Sequence, residues 1–333
     1  MSHANISVFV PHLGCPNKCS FCDQHIITGE TKIPQKEDIE NAVTIAKNSK
    51  NYNGNDTELA FFGGSFTAIN RQYMLELLEI AFEYVKHGDI KGIRISTRPD
   101  CIDFEVLQIL KTYGVTAIEL GAQSMCDDVL TANKRGHRAE AVYSASKIIK
   151  EFGFELGLQM MTGLYRSNRE KDLYTAKEIV ALKPNTVRIY PTVTLEGTYL
   201  AELYKENEYN PPSLDETVDI CVELLEMFQT NGINVIRMGL HTIDTKRYVA
   251  GPWHPSFREL CDSRVFLNKI LEMLPEEGEY TLFVNSKDVS KVMGNKKANI
   301  TKLSELGFKV NVKTDDNLPL SELTFERMNN SCI

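Results

Sequence analysis

Three cysteines, Cys15, Cys19 and Cys22, stand at the spacing CxxxCxxC near the start of the chain. Side chains this close in sequence can aim three thiolates at one small inorganic object, and two objects suit sulfur ligands. One is a 4Fe-4S cluster, which ordinarily takes four thiolates. Held by three, it keeps one iron open to bind a substrate. The other is zinc in a Cys3His site, with His12 or His25 as fourth ligand, in a small nucleic-acid-binding module. The spacing favours the cluster.

Further candidates lie at places where apolar runs end. Gly63-Gly64-Ser65-Phe66-Thr67 closes one such run, and its two glycines let the backbone approach a ligand closely. Gln123, in Gly121-Ala122-Gln123-Ser124, offers an amide that both donates and accepts, as a bound nucleoside requires. Gln159 stands at the end of another run and offers the same chemistry. Arg98 in Ser96-Thr97-Arg98-Pro99-Asp100 can pair with a carboxylate or cap a helix, and Arg135 in Asn133-Lys134-Arg135-Gly136-His137 is a planar donor suited to a carboxylate. Tyr190, Trp253 and His254 read more readily as packed side chains than as site residues.

The elements that position these residues follow from periodicity. Residues 5–12 read as a buried strand whose end delivers the cysteine loop. Strands at 58–62, 93–97, 117–123, 155–161 and 186–191 repeat the theme, with helical segments such as 35–50 and 71–85 between them. Six strand-helix units imply a parallel sheet with right-handed crossovers, too few to close an eight-stranded barrel. The expected fold is therefore α/β, a partial (β/α)6 barrel, with its site at the C-terminal ends of the strands. Beyond residue 185 the pattern loosens into a helix at 215–230, a strand at 235–240, a helix at 257–274, a strand at 280–284, a Lys-rich helical piece at 295–306 and a strand at 309–313. This predicts two units, a barrel over 1–250 and a small C-terminal α/β extension over 251–333.

Composition sets the outer limits. At 333 residues the chain suits one barrel with an appendage, and its 42% hydrophobic and 25% charged residues are typical of a soluble globular protein. No apolar run approaches the roughly 18 residues that span a bilayer, and no secretory signal is evident, so a cytoplasmic protein away from membranes is expected. Eight cysteines, three clustered and five scattered, do not read as a disulfide scaffold. Cys101, Cys126, Cys221 and Cys261 read as buried thiols, and Cys332 falls in a polar tail. A net charge of -8 gives no general attraction to nucleic acid, although Lys287, Lys291, Lys296, Lys297 and Lys302 form a local basic run.

Taken together, the cysteine loop after an apolar strand, with Phe21 inside its last pair, resembles the radical S-adenosyl-L-methionine (SAM) superfamily. The later motifs resemble its elongator catalytic-subunit-like and oxygen-independent coproporphyrinogen oxidase-like groups, over roughly residues 5 to 260. These include the "TRPD" of residues 97–100, the "RGH" of 135–137 and the "YPT" of 190–192. The resemblance implies a radical SAM partial barrel. It implies that Cys15, Cys19 and Cys22 hold the cluster and that SAM chelates the open iron. One-electron reduction then yields a 5'-deoxyadenosyl radical that abstracts hydrogen from a substrate, in an oxygen-sensitive enzyme. It also implies that Phe21 and the loop of Gly63, Gly64, Ser65 and Thr67 serve SAM, with the loop receiving the methionyl amino group. Arg135 would meet the carboxylate, and Gln123 and Gln159 the nucleoside. Ser96 departs from the ribose-binding glutamate common at its place, and Gln159 from the usual aspartate. The implied partners are SAM, a low-potential electron donor such as flavodoxin or ferredoxin, and a small-molecule, peptide or tRNA substrate. The acetyltransferase domain of the elongator enzyme, a further domain of roughly a hundred residues or more, is not expected here.

Overall fold

Alternation decides the first strand. In β1 (Ala4–Val10) Ile6, Val8 and Val10 are buried while Asn5, Ser7 and Phe9 are exposed, as expected of an edge strand with one face on a core. The computed structural model describes residues 4–10, 19–22, 32–240 and 243–328. Cys15, His12, His25 and Cys332 therefore lie outside the described residues, as do residues 11–12 of the first expected strand.

From β1 the sheet grows through β2 (Thr57–Gly63), β3 (Gly92–Thr97), β4 (Val115–Gln123), β5 (Glu155–Thr162) and β6 (Thr186–Pro191). Each pairs in parallel with its predecessor. The short β7 (Thr194–Leu195) leaves the sheet, and β8 (Asn234–Met238) then joins β6 in parallel as the seventh strand. Among the described residues the half-barrel thus has one strand more than the six expected, because the stretch read as a separate strand at 235–240 continues the same sheet. Helices α1 (Lys36–Lys47), α2 (Arg71–Lys86), α3 (Phe104–Thr112), α4 (Asp127–Ala132), α5 (Ala139–Glu151), α6 (Arg169–Leu182), α7 (Tyr199–Lys205) and α8 (Leu214–Thr230) fill the crossovers. Several start on side-chain caps that satisfy first-turn N–H groups: Asn70 for α2, Asp103 for α3, Asn168 for α6, and a Ser213–Glu216 capping box for α8.

The sheet curls. Phe62 on β2 lies under the Arg188 guanidinium of β6 at 4.9 Å, a contact across the hollow between strands four places apart. The outer face packs on the helices in one large apolar core, including Leu59, Phe61, Ile93, Ile95, Ile118, Leu156, Leu158 and Ile189.

Past the half-barrel, β9 (Tyr248–Ala250) pairs antiparallel with β7. Helix α9 (Phe257–Met273) leads into β10 (Gly278–Val284), α10 (Val289–Met293), α11 (Ala298–Glu305), β11 (Phe308–Thr314) and β12 (Leu323–Arg327). These last strands form a three-stranded sheet in the order β11-β10-β12, with its own apolar cluster on α9. Neither the β7–β9 ribbon nor β12 was expected from periodicity, since runs of two to five residues carry too little of it.

Candidate active site

The strand ends meet as expected for a barrel of this kind, and glycine makes the closest approach. Gly63 has φ +115°, and a Cβ there would sit 2.5 Å from the Val10 carbonyl oxygen, while the Gly64 N–H donates to that oxygen at 3.0 Å. The missing side chain lets the end of β2 lie directly on the end of β1, where the cysteine loop departs. Ser65 and Thr67 face inward onto their neighbours. Both hydroxyls bond Thr97 Oγ1, at 2.8 and 2.6 Å, Ser65 Oγ also accepts the Arg98 N–H, and Thr67 donates to the Cys101 carbonyl at 2.7 Å. Their side chains therefore hold the loop in place.

The described part of the cysteine loop is anchored from two sides. Ser20 N–H donates to the Asn133 carbonyl at 3.0 Å and Ser20 Oγ to Asn133 Oδ1 at 2.6 Å, while Leu200 N–H, in the first turn of α7, donates to the Ser20 carbonyl at 2.8 Å. Phe21 packs against the cluster of Leu200, Leu203 and Tyr209. Its ring thus helps seat the loop on α7. Cys19 and Cys22 are both half-buried.

Arg135 reaches into this corner. Its Nη1 donates to Cys19 Sγ at 3.3 Å and its Nη2 to the Gly121 carbonyl at 2.6 Å, while its Nε is buried without a partner. Gln123 sits beside it in a left-handed conformation, φ +66°, at a register shift between β4 and β5, and its Oε1 is buried and unpartnered. A Cβ on Gly121 would stand 2.9 Å from Gln123 Nε2 and 3.4 Å from Arg135 Nη2. The Cys19 thiol, an orphaned donor and an orphaned acceptor thus converge where a glycine clears the space, a set that fits a thiolate-ligated cluster with a polar, zwitterionic co-substrate beside it.

Arg98 turns back on Asp100, with Nε to Oδ1 at 2.9 Å and Nη2 to Oδ2 at 2.5 Å. The hydrogen bond to Asp100 raises the already high guanidinium pKa. The side chain takes the carboxylate alternative, while the backbone of Arg98 stands at the N-cap of the 3-10 turn Pro99–Cys101 without a side-chain cap bond. His137 is buried nearby, and neither ring nitrogen meets hydrogen-bond geometry. Burial, seconded by the Arg135 cation, lowers its pKa to about 4, so the ring is neutral at neutral pH. Trp253 packs against Val193, Leu195 and Ile243, and His254 Nδ1 accepts the Ser256 N–H at 3.1 Å, as befits a packed loop.

Gln159 lies one layer deeper, paired in register with Gly121. Its Nε2 donates to Glu119 Oε2 at 3.0 Å and lies 3.4 Å from Ser96 Oγ. It thereby joins a set of buried charges that no sequence motif marked. Glu119, 1% exposed, accepts a hydrogen bond from Arg188 Nη2 at 2.9 Å and forms an ion pair with Arg188 Nε at 2.6 Å. Arg94, equally buried, donates to Glu58 at 2.7 Å and Glu155 at 3.2 Å and touches Glu119 at 3.5 Å. These residues alternate along the inner faces of β2 to β6 and form the floor beneath the site.

Comparison with known proteins now adds a family. A model described as the radical SAM superfamily matches residues 9–179, and one described as the radical SAM C-terminal domain matches residues 184–266. Elongator complex protein 3 of Dictyostelium discoideum is 29% identical over 235 residues, 64% of this chain and 42% of that protein. The tRNA uridine(34) acetyltransferase of Methanocaldococcus jannaschii is 32% identical over 187 residues, 50% of this chain and 34% of that protein. The chain thus spans less than half the length of these curated relatives. The solved structure of Methanocaldococcus infernus Elp3 with an N-terminal deletion matches at a TM-score of 0.60 and 23% identity, over 81% of this chain and 62% of that one, a likeness of fold.

Proposed function

This chain belongs to the radical SAM superfamily, enzymes that use a 4Fe-4S cluster and SAM, and from that premise we propose that it cleaves SAM reductively and abstracts hydrogen from a substrate bound in the hollow of the half-barrel. The observation that carries this reading is Arg135, set between the Cys19 thiol and the Gly121 carbonyl beside the unpartnered Gln123 Oε1. Cys15, Cys19 and Cys22 would hold the cluster. When bound, the cluster supplies one electron to SAM, which splits into methionine and a 5'-deoxyadenosyl radical.

The chain's own residues bind and orient. The backbone of the Gly63-Gly64 loop takes the amino group, Arg135 the carboxylate and Gln123 the nucleoside. Gln159 extends the nucleoside side through its side-chain carbonyl, since its amide nitrogen is engaged by Glu119. Phe21, Ser65 and Thr67 act by holding the loops in place. The electron comes from a low-potential donor of the flavodoxin or ferredoxin kind. The division into units of 1–250 and 251–333 is kept as a proposal, with α9 bridging them.

A second reading narrows the substrate to a tRNA base, favoured by the relative whose name is tRNA uridine(34) acetyltransferase. Acetyl transfer is not proposed. Membership in the superfamily sets aside the zinc-module alternative. Among the described residues no helix is long and apolar enough to cross a membrane, and a cytoplasmic location is kept as part of the proposal.

Anaerobically reconstituted protein given SAM and dithionite should release 5'-deoxyadenosine and methionine slowly without substrate. Replacing Cys15, Cys19 or Cys22 singly by Ala should remove iron and abolish release. Full iron and SAM cleavage in any of the three variants would overturn the cluster assignment, and a loaded cluster that never yields 5'-deoxyadenosine would overturn the reaction.

A further inference from the structure

The inner face of the half-barrel carries a cation that the site described above does not use. Arg188 on β6 and Arg237 on β8 are partners just past a register shift in the sheet, and Arg237 lies within the electrostatic reach of Arg188, Tyr190 and Glu119 on the inner face. Arg188 is matched: it is paired with Glu119 through two nitrogens and stacked on Phe62. The other floor carboxylates, Glu58 and Glu155, are held by Arg94. Among the described residues Arg237 has no ion pair and no hydrogen bond, and its Nε is buried.

An unmatched guanidinium in a partly dry wall is unfavourable unless something completes it. Burial lowers the Arg237 pKa, and the neighbouring Arg188 cation works in the same direction, against the opposing pull of Tyr190 and Glu119. The same hollow offers apolar surface on the facing strands. Phe9 is 38% exposed, its ring 6.4 Å from that of Phe62. A cation beside half-buried Tyr190, in a hollow that also carries the exposed Phe9 ring, suits a molecule with an apolar or planar body and an anionic end.

We infer that Arg237 is the receptor for an oxyanion, carboxylate or phosphate, on the substrate, and so a specificity-determining residue. A planar guanidinium grips such a group through two parallel N–H bonds. This deepens the proposed reaction and rests on it for the identity of the hollow as the substrate chamber. Arg237 binds and orients; no bond to it is made or broken.

The test is calorimetry on the anaerobic, cluster-loaded protein with SAM present, using benzoate, phenyl phosphate and neutral benzamide as probes. At least one anion should bind about tenfold or more tightly than benzamide, the scale of a charge-assisted hydrogen bond. Which anion wins separates a carboxylate substrate from a phosphate one. Arg237→Gln should erase the preference, and Arg237→Lys should reduce without abolishing it, because the point charge remains but the bidentate grip is lost. No preference for either anion in the wild-type protein, including no binding, overturns the inference, as does a preference that survives in Arg237→Gln. Should the Gln variant fail to load its cluster, Arg237→Lys decides, an unchanged preference counting against. Wild-type 5'-deoxyadenosine release without probe is scored separately. Release with no anion preference sinks only this inference, and anion preference with no release sinks only the proposed reaction.

Discussion

A single methyl group at position 121 reaches two of the residues assigned to SAM. The Cβ of Gly121→Ala would press on the Gln123 amide and crowd the Arg135 guanidinium, both far ends of flexible side chains that can yield only by leaving their present places. Arg135→Ala should weaken SAM binding by on the order of 1.5 to 3 kcal/mol, the range for hydrogen bonds to charged groups. Gly121→Ala should act in the same direction and fall short of that full loss. Iron content should be retained in the Gly121 variant, since no cluster thiolate is touched. Spectral titration of the loaded protein with SAM measures both, and unchanged affinity in both variants would return Arg135 to a structural role. The cysteines, the glycine pair and Arg135 stand out in the sequence as candidates because each belongs to a short contiguous motif, and the structure brings Arg135 to Cys19. Glu119 and Arg188 do not. They lie 69 residues apart and alternate with apolar neighbours, so they become a pair only when the sheet curls.

Strand ends were legible for a related reason, since buried parallel strands are apolar runs and each stops at a Gly, Pro or polar cluster. What the runs could not reveal is how the loops that leave them are fixed, and the connection from β5 to α6 is the clearest case. Asp172, in the first turn of α6, accepts the Gly163 N–H at 2.9 Å and the Ser167 hydroxyl at 2.6 Å, holding the loop against a cavity of about 950 Å³ bordered by Tyr165, Tyr209 and Pro212. Burial raises its pKa from 3.8 to about 6, against the opposing effect of Ser167 and Gly163. A carboxyl whose folded pKa is raised binds its proton more tightly in the native state. The stability this contributes is present below pH of about 4 and lost as pH rises through about 6. A change of that size corresponds to about 3 kcal/mol. Measured by urea unfolding, wild-type stability relative to Asp172→Asn should therefore fall by about 2 to 3 kcal/mol between pH 4 and 7. Parallel pH profiles for the two proteins would show that Asp172 titrates as an ordinary carboxylate.

Across the whole molecule, one helix decides how the half-barrel and the small C-terminal sheet share their stability. Phe257 and Cys261, near the start of α9, belong to the large core, while Phe266, Leu267 and Ile270, further along, belong to the cluster under β10 to β12. Polar ties reinforce both ends: Arg264 pairs with Asp215 and Asp219 of α8, and Asn299 of α11 donates to the Ser263 carbonyl at 2.8 Å. If the small sheet opened alone, it would bare the second half of a helix whose first half stays packed, exposing Ile270 and Phe266 to water for no gain in the large core. The two cores should therefore unfold together. Ile270→Ala, which removes fully buried methyl and methylene groups from the smaller core, should cost about 2 to 5 kcal/mol. It should lower a single thermal transition, with amides of β10 and of β2 to β5 losing hydrogen-exchange protection in step. An early, separate melting of β10 to β12 that leaves β2 to β5 protected would refute this coupling and make the C-terminal sheet an independently folding appendage.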